Sequence, residues 1–209
     1  MGETQGAAFL TQSSCVVAGS WNPAILQPAW MVKQGILPNG GGKIELAAPI
    51  GQPTPMPLVA RYTLADLSWV AQPMSLEVQP AAEGANPGLF VASVLEKLSH
   101  TPIRAVGNNF NFDPGTAGVK LLDVFHCAGW DRLRGSAEEV GSRVGVRLSH
   151  DTGVVNVTVV SSATAVTELQ FNFHREMVEV SEAIEAARKW ADDSNAAKAL
   201  AARIVEGSR

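Results

Sequence analysis

Three short runs carry residue types associated with known chemistry, and in each the spacing argues against that chemistry. Asp151-Thr152-Gly153 is the tripeptide of aspartic proteases. That reaction needs two carboxylates sharing a proton, brought together from two lobes or two subunits. Here the tripeptide joins two alternating segments, where Asp and Gly are ordinary turn residues. No apolar strand ending in glycine follows it. Gly40-Gly41-Gly42-Lys43 has the look of a phosphate loop. A Walker loop needs glycine five residues ahead of its Gly-Lys pair and Ser or Thr after the lysine, and Leu37 and Ile44 hold those positions. His126-Cys127 sets a base beside a thiol, but adjacent residues on a helix or strand point in different directions.

The four histidines, His100, His126, His150 and His174, fall in no HxH or HxxxH pattern, and Cys15 and Cys127 in no CxxC. A metal site therefore has no local signature. His174 and Glu176 share one face of a strand, and His150 joins them only if the strands pair suitably. The expectation is no catalytic constellation, no cofactor and no metal. The competing reading is a small-molecule or nucleotide-processing enzyme built on polar residues at strand ends, with Asn108, Asn109, Asn111 and His174 as its candidates.

Recognition of another polypeptide is the leading expectation. Glu3, Lys33, Lys43 and Glu45 are the only charged residues among the first sixty. Five tryptophans accompany a single tyrosine. Tryptophan packs cores, but its N–H seeks a partner, so it also concentrates at interfaces. Trp21 and Trp30 lie in the charge-free stretch, followed by a Pro-rich segment. Trp21, Pro23, Trp30, Pro53, Pro55 and Pro57 are therefore the candidate partner-binding residues, for a protein partner or for self-association. Sixteen Lys and Arg against twenty Asp and Glu leave a net charge of −4, which disfavours a broad nucleic-acid surface. Arg132, Arg134, Arg143 and Arg147 form only a modest basic cluster, without the aromatics of an RNA-binding sheet.

These residues need elements to hold them. The chain has 209 residues, 46% hydrophobic and 17% charged, against about 25% charged in typical domains. Such a chain buries enough surface to fold without disulfides or metal. Thr4 to Val32 is uncharged, but Gln, Ser, Asn and Pro interrupt it, whereas a membrane span needs about 20 mostly apolar residues. Glu3 stands where an export signal would carry cations. The expected location is the cytoplasm, with both thiols reduced.

Ser13–Ser20 reads as a first strand, followed by a turn at Trp21-Asn22-Pro23 and short helical stretches from Ala24 to Leu26 and from Pro28 to Gln34. Residues 35–57, with Pro38, Asn39, the three glycines and Pro49, Pro53, Pro55 and Pro57, read as irregular, because alternating prolines favour extended chain. Leu58 to Pro80 alternates as a strand pair. Asn86-Pro87-Gly88 opens a helix with Phe90, Val91, Val94, Leu95 and Leu98 on its apolar side. A strand starts at Ile103, a short helix spans Val119–Phe125, and Trp130–Gly135 adds a further turn. Val144, Val146 and Leu148, then Val155, Val157 and Val159, then Leu169, Phe171 and Phe173 describe a three-strand antiparallel meander. A long Ala-rich helix runs from a cap at Ser181 to about Val205. The fold class is α+β: a single domain, residues 1–209, with a mixed, mostly antiparallel sheet and helices packed on one face.

The stretch Leu98-Ser99-His100-Thr101-Pro102-Ile103-Arg104-Ala105-Val106-Gly107-Asn108-Asn109-Phe110 resembles a helix-end-into-strand signature of sporadically distributed bacterial proteins of uncharacterised function. Trp21-Asn22-Pro23 and the meander are compatible with that plan. The resemblance covers about a third of the chain and implies a cytoplasmic bacterial α+β protein. It carries over no catalytic residue. The function expected is thus a non-enzymatic protein-interaction module, a subunit or homodimer of a cytoplasmic assembly.

Overall fold

A computed structural model describes residues 8–40, 43–47, 59–125, 141–151 and 153–207. Among them, nine strands form one sheet in the order β2-β3-β4-β5-β1-β6-β9-β8-β7. The strands are β1 (Phe9–Gly19), β2 (Lys43–Ala47), β3 (Val59–Leu64), β4 (Leu67–Gln72), β5 (Ser75–Pro80), β6 (Ile103–Asp113), β7 (Gly141–His150), β8 (Gly153–Ser162) and β9 (Val166–Glu176). Five helices accompany them: α1 (Pro28–Lys33), α2 (Pro87–Lys97), α3 (Gly118–Phe125), α4 (Val180–Arg188) and α5 (Trp190–Glu206). The α+β class read from the sequence holds. The sheet is antiparallel rather than mixed, and β3–β4, β4–β5, β7–β8 and β8–β9 are neighbours joined by connections of two or three residues. The chain splits into two compact units, one of Ser14–Asn108 with His174–Ala191, the other of Met1–Ser13, Asn109–Phe173 and Asp192–Arg209.

The unit containing Ser14–Asn108 is built around Trp69 of β4. Its side chain is fully buried, meets the rings of Phe90 at 5.4 Å and Tyr62 at 5.6 Å, and donates its N–H to the Leu26 carbonyl at 2.9 Å. A buried indole N–H without an acceptor would be costly, so this bond fixes the turn before α1. Leu58–Pro80 holds three strands, not two. Leu64 pairs with Leu67 and Gln72 with Ser75, so two tight turns fit where alternation alone suggests fewer elements. Ala65 takes the positive φ of 52° that the first turn requires.

Helix α2 begins as the sequence predicts. The Asn86 side chain accepts from Leu89 N at 3.1 Å, and Pro87 follows at the first position. Gly88 is required for a different reason. A Cβ there would sit 2.1 Å from the Ala187 carbonyl oxygen and 2.5 Å from Trp190 Cβ. The start of α2 thus approaches the backbone at the end of α4. The single long helix expected from Ser181 is two helices, with Lys189 between them. Its start is Glu179, with extended backbone, rather than Ser181. The Glu182 carboxylate accepts from Val178 N at 3.0 Å and Glu179 N at 3.2 Å, and these bonds hold its pKa below the usual carboxylate value.

In the other unit the core is aromatic and edge-to-face. Phe110 of β6 meets Phe173 of β9 at 6.0 Å, and Phe112 meets Phe171 at 5.7 Å. Leu121 of α3 and Ala197, Ala201 and Val205 of α5 are buried. Small residues at helical spacing let α5 lie close to what it covers. A Cβ at Gly118 would lie 2.2 Å from the Val166 carbonyl oxygen, so the first turn of α3 rests against the backbone of β9.

Three further differences from the sequence reading have local causes. Strand β1 starts at Phe9 rather than Ser13, and Ala24–Leu26 is a turn in which Asn22 Oδ1 accepts from Ala24 N at 3.1 Å. The irregular segment 35–57 contains β2, which owes its extended form to pairing with β3, Lys43 opposite Thr63 and Glu45 opposite Arg61. Non-local pairing of that kind leaves no local sequence trace. The predicted turn of helix at Trp130–Gly135 lies outside the described residues.

Candidate functional site

The charge-free front of the chain is divided: Phe9 and Leu10 are exposed, whereas from Ser13 on many of its apolar side chains are interior. Trp21 is 6% exposed and donates its N–H to the Val17 carbonyl at 3.1 Å, which corrects its assignment as a partner-binding residue. Absence of charge over Ser13–Val32 goes with burial: Cys15, Val17, Leu26 and Met31 are all core residues. Trp30 is half-buried and packs on the same core. Pro23 is half-buried beside the Asn22 turn. Pro53, Pro55 and Pro57 lie outside the described residues.

The polar candidates on β6 divide between its two faces, Asn108 on one and Asn109 and Asn111 on the other. Neighbours along a strand face opposite ways. Accordingly Asn108 is fully buried, donating its amide to the Ala186 carbonyl at 3.4 Å, while Asn109 is only half-buried. Asn109 Oδ1 accepts from Asn172 Nδ2 at 2.6 Å, and Asn172 Oδ1 accepts from Asn156 Nδ2 at 3.1 Å. The three amides make a ladder across β6, β9 and β8, each one orienting the next. On β7, Arg147 stands opposite Asn156 in the strand register. Sequence reasoning named Asn109 but missed Asn156 and Asn172, whose alternation reads only as a polar strand face.

One histidine has an acidic neighbour. His150 Nε2 lies 4.0 Å from the Asp193 carboxylate, and its ring stands edge-on to Phe173 at 5.0 Å. Asp193 is 2% exposed, in the first turn of α5. At that distance the contact is electrostatic rather than a hydrogen bond. Among the described residues no three His, Cys, Asp or Glu side chains are grouped to hold a metal ion. Asp151, with φ of 46°, follows His150, which pairs with Gly153. Asp151 therefore lies in the short connection between β7 and β8, as the turn chemistry of the Asp-Thr-Gly run predicts.

The most distinctive surface is an edge. Strand β7 ends the sheet and, among the described residues, pairs only with β8. Val144 stands opposite Val159, Val146 opposite Val157 and Leu148 opposite Val155, so these side chains continue the face on which Val155 and Val159 are buried. The cover stops short of β7: Val146 is 51% and Leu148 43% exposed. Arg143 and Arg147, also exposed, project from the opposite face. The other end of the sheet, β2, has an exposed Lys43–Glu45 ion pair at 2.5 Å. The hydrogen bond and charge of Lys43 lower the Glu45 pKa, with Arg61 adding to the effect.

No helix among the described residues is long and apolar enough to cross a membrane. No protein-family model matches the chain, and no curated protein matches it.

Proposed function

We propose that the protein is a non-enzymatic interaction module that offers its β7 edge to another polypeptide strand, as a subunit or homodimer of a bacterial cytoplasmic assembly. The observation that carries this reading is the open edge of β7. Ten residues end the sheet without a second neighbour among the described residues, and two large apolar side chains stand half in water. A long edge of this kind is a ready template for strand addition. Main-chain hydrogen bonds supply affinity, and Val146 and Leu148 supply apolar contact. In this reading the helices of each unit cover one face of its strands, and the residues that bind sit on β7 rather than at the front of the chain. The likeness of Leu98–Phe110 to bacterial proteins supports the bacterial and cytoplasmic assignment.

A photo-reactive residue placed at Val146 in the full chain, in bacterial cells producing it, tests the reading. A polypeptide adduct from Val146, absent when the same residue is placed at exposed Leu89 of α2, is the expected result. Labelling at Val146 no greater than at Leu89 overturns it.

The second reading, a small-molecule or nucleotide-processing enzyme, now draws its support from His150 beside the buried Asp193 carboxylate. The amide ladder supports it less, because those groups satisfy one another.

A further inference from the structure

Resting on the reading of β7 as a binding edge, we infer that its partner strand is β7 of a second copy, paired antiparallel about a twofold axis through Val146. The argument starts from the hairpin. The strand register closes on His150 opposite Gly153, and in antiparallel hairpins with two residues between the strands the closing pair is a hydrogen-bonded one. Hydrogen-bonded positions alternate along an antiparallel strand. The even-numbered residues of β7 therefore bond to β8, while the odd-numbered ones, Arg143, Gly145, Arg147 and Ser149, turn their main-chain groups to the open edge.

A twofold axis at Val146 satisfies that edge with itself. Gly145 stands opposite Arg147 of the second copy, and Arg143 opposite Ser149, so the outward main-chain groups meet. On the apolar face Val146 meets its own copy and Val144 meets Leu148. Each arginine faces a small residue. The neighbouring registers lack these matches. An axis at Gly145 sets Arg143 against Arg147, and an axis at Arg147 sets that residue against itself. Like charges directly opposed destabilise a strand pair. Axes at Val144 or Leu148 shorten the overlap. The alternation of Arg143 and Arg147 with Gly145 and Ser149 thus selects one register, and it keeps the apolar face of one copy continuous with that of the other.

Disulfide trapping tests the register. In the full chain with Cys127→Ser, Val146→Cys sits at a non-hydrogen-bonded pair, where Cα atoms are about 4.5 Å apart, inside the range a disulfide spans. Mild oxidation is expected to link more than half of the Val146→Cys chains to one another. Arg147→Cys alone should link at least tenfold less. An equal mixture of Arg147→Cys and Gly145→Cys should form the mixed dimer, and Gly145 has room for a side chain, its nearest atom being 3.9 Å away. Light scattering of the chain without these cysteines should give twice the chain mass, and thermal unfolding should show each variant folded.

A chain that stays monomeric at high concentration overturns the inference. So does a dimer in which folded Val146→Cys does not cross-link. If the photo-adducts at Val146 contain only a different protein, self-pairing fails while the interaction reading stands. If Val146 labels nothing above the Leu89 control, both fail.

Discussion

The two ends of the sheet are finished differently. Strand β2 has five residues, and its described outer side chains include an ion pair set opposite Arg61. Strand β7 has ten, with Val146 and Leu148 half-exposed. Sheet edges are hazards that proteins blunt by shortness and charge. The first end follows that rule and the second departs from it. The arginines of β7 do not protect it, because they leave its apolar face free. The lesson is that exposure alone does not mark a binding edge. In the proposed reading, length, apolar side chains on a continued face and spacing of charge do so together.

Substitutions can break this contrast or sharpen it. The largest expected effect lies in the unit that carries β2. Trp69→Ala removes a fully buried indole, its bond to Leu26 and two ring contacts, and should cost about 3–5 kcal/mol in urea unfolding. Self-association at conditions where the variant stays folded should not change. Next, Gly88→Ala forces α2 away from the Ala187 carbonyl, and about 1–3 kcal/mol of stability should be lost by the same measurement. If either folded variant became monomeric, the separation between core and edge would be wrong.

Val146→Lys should move stability by no more than about 0.5 kcal/mol, as exposed substitutions do. Sedimentation should nonetheless show the dimer lost, since the change gives β7 the kind of side chain that guards β2. The smallest effect concerns β2 itself. The Glu45 pKa is lowered in the folded chain, so the carboxylate contributes stability above the ordinary value of 4.5, and this is lost as pH falls through the folded pKa. The thermal-stability gap between the native chain and Glu45→Gln should be present at neutral pH and shrink on acidification. A gap that widened in acid would contradict the ion pair as the cause.

Much of the fold is legible along the chain, because local rules and tertiary structure agree there. Asn86-Pro87 announces α2, and the alternation of Leu169, Phe171 and Phe173 announces β9. The failures share a cause. Strand β2 exists through pairing with β3, and the break at Lys189 has no Gly or Pro to signal it. That break falls where α4 meets the start of α2, at Gly88, a contact between distant segments. The candidate site was harder still. Val144, Val146 and Leu148 read as core residues like those of β8 and β9, and only the strand order makes them an edge. Trp21 erred in the opposite sense: uncharged sequence suits an interior as well as an interface, and sequence alone does not choose between them.

The Lys43–Glu45 pair has a bearing on how large the assembly grows. A sheet with two receptive borders would add copies without end and build a fibre, whereas one with a single receptive border would not. The β2 border carries salt-bridged side chains that would have to be stripped of water before another strand could join. On the proposed pairing, growth would halt at two subunits, with the short strand as the terminator.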